Sequence, residues 1–578
     1  MPVTATEPLV AELLDALIAD DPVLATSLGL PDGLDALPSF SPAAVAARVA
    51  LARRGIERLA PLAAGAARTL RDASAPDAEH PAPDAPSPVP GAPPDANVTD
   101  AAVFLPVLRR VLRLYELRRV HRFLPGHYLR CAQEALLPIM LRDIAPRAER
   151  LRALEGRLRA LPGFLEEARD NLEPGTPAVF VESGADFAGE LLDLTGPTAR
   201  AFAHGLGRPG ALDAAAGAAC DALRDFRRHL RERLLPASVP ACGAGRAVLE
   251  DILRHEHMLD DTPEELAAYG RSVITETKLE MEQLAAGLGH ESAAAALAAV
   301  RAAHPDLDGL VPAYRRAVEA ARDFVVLHRL ATLADGEQLE VVATPRALRG
   351  VLPFAAYDPP GPFAGRQLGY YFVTPPPADR GSRALAAGLA SHPFAAMAVT
   401  GVHEAYPGHH VQLTRANTAP RLARRLAGAY GGGTLLVEGW AFYCEEMMER
   451  QGFLAGPEAR LVRLNDQVWR ACRVVIDVEV ATGRMSVAEA VDLLVREARM
   501  DRRLAEAEVR WYVESPGEPL SYLVGKREIV ALGYRFARRR TAALRAFHDA
   551  ILDWGSVPPR LIAWGLGLAG PPPAVVGA

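Results

Sequence analysis

Apolar residues recur three or four positions apart along most of the chain. In LVAELLDALIAD (residues 9–20), AAVFLPVLRRVLRLYELRRV (101–120) and PEELAAYGRSVITETKLEMEQLAAGL (263–288) this spacing puts them on one face of a helix. Ala, Leu, Arg and Glu, all good helix formers, fill the remaining positions. Between residues 338 and 377 the texture changes. LEVVATP (339–345) and LGYYFVT (368–374) are β-branched and aromatic runs separated by a Pro- and Gly-rich stretch, which predicts a small sheet. The run from Gly369 to Thr374 fits either an edge strand that holds an extended peptide by its backbone or an internal strand. Helical spacing returns from Ala384 to about Ala550, and the tail GPPPAVVGA (570–578) is expected to fray. Residues 73–97, ASAPDAEHPAPDAPSPVPGAPPDAN, have almost nothing to bury and predict an exposed, disordered loop. The expected architecture is mainly α, in two parts. A helical N-terminal region spans residues 1–337 and includes that loop; residues 338–578 carry the small sheet followed by helices.

Composition narrows the partners. The chain has 578 residues, half of them hydrophobic, enough for a large core. A formal net charge of −7 lacks the basic excess that attracts nucleic acid, so no nucleic-acid partner is expected. No run of 18 apolar residues is free of charge or helix breakers; residues 384–402 come nearest, divided by His392 and Pro393, so no membrane span is expected. The N-terminus, MPVTATEPLVAELLDALIADDP, lacks the basic start and apolar core of a signal peptide, which points to the cytoplasm. Cys131, Cys220, Cys242, Cys444 and Cys472 show no paired spacing, in keeping with reduced thiols rather than a disulfide framework or a thiolate zinc site. His255, His257 and His328 have no carboxylate at ligand spacing and are expected to be structural.

The candidate chemistry lies in His403-Glu404-Ala405-Tyr406-Pro407-Gly408-His409-His410, three imidazoles and a carboxylate within eight residues. Imidazole suits zinc, and an adjacent carboxylate can take a proton from the attacking water. The helical zinc motif His-Glu-x-x-His needs two histidines one turn apart, whereas position 407 is Pro. If Pro407 and Gly408 bulge out of the helix, His409 falls where the second ligand belongs. Without a bulge, His410 shares the face of His403 but lies about 10.5 Å along the axis, too far for easy convergence. His409 is therefore favoured and His410 is the second choice.

A third ligand from a separate helix would leave one tetrahedral position open for water. Glu438 is the candidate, in the stretch Glu438-Gly439-Trp440-Ala441 that follows the Gly431-Gly432-Gly433 loop. Glu445, seven residues on and on the same face, can accept a hydrogen bond from a ligating imidazole, or can belong with Glu446 and Glu449 to a solvated face. Tyr512 and Tyr522 are the candidate donors to a tetrahedral oxyanion. Arg470, Arg473 and Arg510 are candidates for a substrate carboxylate.

The 403–410 string, EGWA (438–441), RACRVVID (470–477), PGEPLSY (516–522) and DDPVLATSLGL (20–30) resemble the bacterial family of domain of unknown function 885, grouped with gluzincin metallopeptidases. The resemblance covers nearly the whole chain. It implies a large helical, two-lobed fold around a deep cleft, like other gluzincin oligopeptidases, with zinc held by two His and one Glu. EGWA is also similar to the third-ligand helix of zinc aminopeptidases. Two positions depart from the family pattern: Val478-Glu479 follows Asp477 where Gly and His are usual, and Glu518 stands in place of Gln. The expected function is a zinc-dependent hydrolase of short peptides. The alternatives are a non-catalytic helical scaffold with a structural metal, or a zinc amidohydrolase acting on non-peptide substrates.

Overall fold

The computed structural model describes residues 6–72, 93–204, 209–240, 243–346, 349, 352, 355–377, 381–539 and 543–576. The three amphipathic runs all form helices. The first lies in Thr6–Asp20 and buries Val10, Leu13, Leu14 and Leu17, the i, i+3, i+4, i+7 stripe of its sequence. The second forms Ala96–Leu112, opened by the Asp95 side chain accepting from the Asn97 amide. The third forms Pro263–Gly287, started by a reciprocal capping box between Thr262 and Glu265. Most of the loop expected at residues 73–97 lies outside the described residues; its last positions enter the Ala96–Leu112 helix.

The small sheet has three strands, β1 (Gln338–Ala343), β2 (Ala355–Asp358) and β3 (Leu368–Val373), in the order β1-β3-β2. β3 runs parallel to β1 and antiparallel to β2. This decides between the two readings of the 369–374 run in favour of the internal strand. The 369–374 run is the central strand, both of its edges are hydrogen-bonded, and no free edge remains to add a peptide. The tail is corrected: residues Pro573–Val576 form a helical turn with Ala574 and Val575 buried, and Arg109 donates to the Ala574 carbonyl at 3.3 Å. Val575 carries enough apolar surface to anchor what composition alone reads as frayed.

One core cluster joins Val10, Phe104 and Leu108 to Tyr371, Trp440 and Trp564, so chain from both sides of residue 337 shares a single interior. A second unites the Pro263–Gly287 helix with the Pro457–Ala481 helix, and a third lies among Tyr128, Leu154 and Phe226. Among the described residues no single helix is long and apolar enough to cross a bilayer.

Candidate metal centre

The Phe394–Glu404 helix ends inside the histidine string, and a new helix, His409–Asn417, begins after four intervening residues. Proline cannot donate to a helical carbonyl, and Ala405 (φ −115°, ψ −89°) and Gly408 (φ −66°, ψ −131°) leave helical geometry on either side of it. The expected Pro-Gly bulge within one helix is thus a break between two. Gly408 brings the halves together. Its amide donates to the Val402 carbonyl at 3.0 Å, and a Cβ there would lie 1.8 Å from the His403 carbonyl oxygen, a contact only glycine permits. The outcome is that the rings of His403 and His409 meet edge to face, centroids 4.8 Å apart.

The Thr434–Arg450 helix supplies the third member, and each residue of EGWA has a physical task. Glu438 points its carboxylate at both imidazoles. Gly439 lets the helix touch the Ser521–Arg539 helix, where a Cβ would lie 2.5 Å from the Gly525 backbone. Trp440, fully buried, donates from its indole to the Pro407 carbonyl at 2.8 Å and so fixes the break. Ala441 is small and fully buried.

Glu438 Oε2 lies 3.6 Å from His403 Nε2 and 3.4 Å from His409 Nε2. These separations exceed a hydrogen bond, and Glu438 Oε2 and His409 Nδ1 are both buried with no hydrogen-bond partner. Zinc bonds of about 2.0–2.1 Å at tetrahedral angles place donor atoms roughly 3.3–3.4 Å apart, so the spacing fits one ion held by three ligands. His403, His409 and Glu438 offer donor atoms within 4.8 Å of one another, the one cluster of its kind among the described residues. Charge agrees with geometry. Burial opposes ionisation of Glu438, yet the imidazoles of His409 and His403 outweigh it and hold the carboxyl well below the usual range. Burial alone would lower His403, but the Glu438 and Glu445 carboxylates reverse that and raise it to about 10. The Glu438 and Glu445 carboxylates thus favour positive charge beside them.

Glu445, 1% exposed, accepts from His403 Nδ1 at 2.8 Å, which leaves Nε2 facing Glu438. Glu404 is partly exposed and makes no hydrogen bond or ion pair among the described residues; it lies near enough to Tyr314 and Tyr371 to help burial raise their hydroxyls. Tyr522 stacks on His403 at 12° between planes, centroids 6.3 Å apart. Burial, then Glu438, pushes its hydroxyl well above the usual tyrosine range.

Other sequence candidates sit elsewhere. His410 is fully buried with both ring nitrogens engaged, Nδ1 by Tyr357 Oη at 3.0 Å and Nε2 by Glu337 Oε2 at 2.6 Å, and it stays outside the three-ligand cluster. Tyr512 accepts from Trp469 and Arg473, both at 3.0 Å, and donates to Glu508 at 2.6 Å. Arg470 pairs with Asp466, Arg473 with Glu508, and Arg510 with Asp186 on the surface. The Asp477 carboxylate accepts from the Gly517 and Leu520 amides, so RACRVVID holds the PGEPLSY turn that precedes Tyr522. Spacing gave no sign of Tyr357, Glu337 or the Trp440 clamp. The isolated glycines 439 and 525 in helical sequence were a legible signal of close packing.

A cavity of about 680 Å³ opens nearby, with Thr434, one turn before Glu438, and Glu518 in its wall. Burial raises the Glu518 carboxyl; the nearby Arg110 lowers it and Glu438 raises it further.

No curated protein matches the chain. Two solved structures share its fold over nearly full length. One is described as "a putative lipoprotein of unknown function from Shewanella oneidensis", with a TM-score of 0.73 and 20% identity over 97% of this chain and 99% of that one. The other is described as "the putative lipoprotein from Colwellia psychrerythraea", with a TM-score of 0.71 and 15% identity over 98% of this chain and 99% of that one. A family model described as bacterial protein of unknown function (DUF885) matches residues 22–564, and the chain belongs to that family.

Proposed function

We propose that the protein is a zinc-dependent hydrolase that cleaves peptide bonds of short peptides, a member in chemistry of the gluzincin type. The observation that carries this reading is the convergence of His403, His409 and Glu438 at tetrahedral-edge spacing, with buried atoms left without partners. These three residues would hold the ion, and a fourth position stays free. Bound zinc would supply Lewis acidity and lower the pKa of water.

The chain's own residues do the rest. Glu404 follows a ligand in sequence, is partly exposed and has no competing ion pair, so its carboxylate is free to accept a proton from the attacking water and pass it to the leaving amine. Tyr522 keeps its proton because burial and Glu438 disfavour the phenolate, so it can only donate, as a developing oxyanion requires. Tyr512 has its hydroxyl committed to Glu508, and Tyr522 is the stronger candidate. Glu445 orients His403.

The test is to measure zinc content and the cleavage of a panel of short peptides by the purified protein. Glu404→Gln should keep its zinc and lose activity by roughly 10²–10⁴-fold, the usual weight of a general base. Zinc-loaded protein that cleaves no peptide, or full activity in Glu404→Gln, overturns the assignment.

A further inference from the structure

Outside the ligand cluster, one buried cation is placed as much by aromatic rings as by its ion pair. Arg473, on the Pro457–Ala481 helix, is 5% exposed. Its Nε donates to Tyr512 Oη at 3.0 Å and its Nη2 to Glu508 Oε2 at 2.9 Å, both on the Arg502–Glu514 helix. Nη1 is buried with no hydrogen-bond partner. The guanidinium instead lies over aromatic faces, with Cζ 4.5 Å from the ring centroid of Trp469, 5.1 Å from that of Trp511 and 4.4 Å from that of Tyr522. The shortest of these contacts is the one to Tyr522, the tyrosine that stacks on His403.

A cation over an aromatic face is attracted by the negative face of the ring, and the attraction grows as the ring gains electron density. A phenol that donates to an oxyanion gains such density, because the O–H electrons shift toward the oxygen and the ring. A guanidinium fixed over that ring therefore favours the donor more in the transition state than in the ground state. Tyr522 has its hydroxyl available for this, since it makes no hydrogen bond among the described residues. Tyr512 does not, being bonded to Trp469, Arg473 and Glu508. At the Tyr522 hydroxyl Arg473 is the strongest influence opposing burial and Glu438, so the ion pair with Glu508 does not cancel its charge there.

We propose that Arg473 is a positioning residue for peptide hydrolysis: its guanidinium holds the Tyr522 ring beside His403 and strengthens the Tyr522 hydroxyl as the donor to the oxyanion. The proposal rests on the peptidase reading and on Tyr522 as its donor. It takes the place of a role for Arg473 in binding a substrate carboxylate, because two of its three nitrogens are engaged by Tyr512 and Glu508 and the third is buried. Arg473 touches no reacting atom; its effect passes through one ring.

The experiment is a double-substitution cycle on full-length, zinc-loaded protein, with kcat, KM and zinc content measured for one short peptide. Arg473→Gln should lower kcat about threefold to thirtyfold, the rate equivalent of a desolvated cation–π contact, with KM and zinc unchanged. Tyr522→Phe keeps the ring and removes the hydroxyl; in that background Arg473→Gln should change kcat by less than about twofold. Glu508→Gln disturbs the same hydrogen bonds but leaves the cation in place, and should lower kcat far less than Arg473→Gln. Arg473→Lys, which keeps the charge without the fork, should recover part of the loss, and Arg473→Met repeats the cycle if the glutamine variant does not fold. Equal loss from the Arg473 substitution with and without the Tyr522 hydroxyl overturns the proposal, since a purely structural arginine would act that way. So does a raised KM with kcat intact, the mark of substrate binding, or an equal loss in Glu508→Gln. If the unsubstituted zinc-loaded protein cleaves no peptide, the peptidase reading falls and this assignment with it; if it cleaves peptides and the two substitutions act independently, this assignment alone falls.

Discussion

Two buried histidine–carboxylate clusters lie side by side, entered by consecutive residues. In one, His403 and His409 face Glu438 at 3.4–3.6 Å, and buried atoms on His409 and Glu438 have no hydrogen-bond partner. In the other, His410 is bonded at both nitrogens and Glu337 also accepts from Tyr406 at 2.7 Å and pairs with Arg322 at 3.3 Å. Residue types are nearly the same in both. What differs is satisfaction: the second network uses its donors and acceptors internally and acts as a clamp, whereas the first leaves buried atoms without hydrogen-bond partners at a spacing that a zinc ion would fit. A count of buried histidines and glutamates would rank the two alike.

The sharpest way to break this contrast is to remove one carboxylate from each cluster. Glu438→Gln should lose bound zinc and with it essentially all activity, while Glu337→Gln should keep zinc; metal analysis after dialysis separates them. Tyr522→Phe tests the donor that stacks on the first cluster, and kcat should fall by about 10²–10³ with zinc retained, as when one oxyanion donor is lost. Glu445→Gln removes the carboxylate that orients His403, and zinc affinity should drop roughly 10–100-fold in competition with a chelator. The smallest effect is expected at the clamp: His410→Leu should leave zinc stoichiometry intact and cost ~1–3 kcal/mol of unfolding free energy, since Glu337 and Tyr357 lose a buried partner. Zinc loss in His410→Leu with zinc retained in a His409 substitution would invert the two roles.

Glu445 shows how spacing can succeed. Seven residues from Glu438 on one helix means the same face, and the carboxylate does reach His403. The choice between His409 and His410 shows where spacing stops. A continuous helix and a bulged helix place different histidines near His403, and the actual break is neither; it depends on Gly408 packing against the Val402 and His403 carbonyls and on the Trp440 indole holding the Pro407 carbonyl from another helix. The strand at residues 368–373 is similar. Its β-branched and aromatic residues announce a strand, but only pairing with β1 and β2 makes it central.

The sequence by itself determined the mainly helical fold, the position of the small sheet and the residue types at the candidate centre, because periodicity, propensity and ligand chemistry are local properties of the chain. Tertiary structure alone decided which of two adjacent imidazoles meets Glu438, and which tyrosine hydroxyl makes no hydrogen bond among the described residues. Those outcomes depend on distances between atoms far apart in sequence, set by how helices cross and where glycines let them touch.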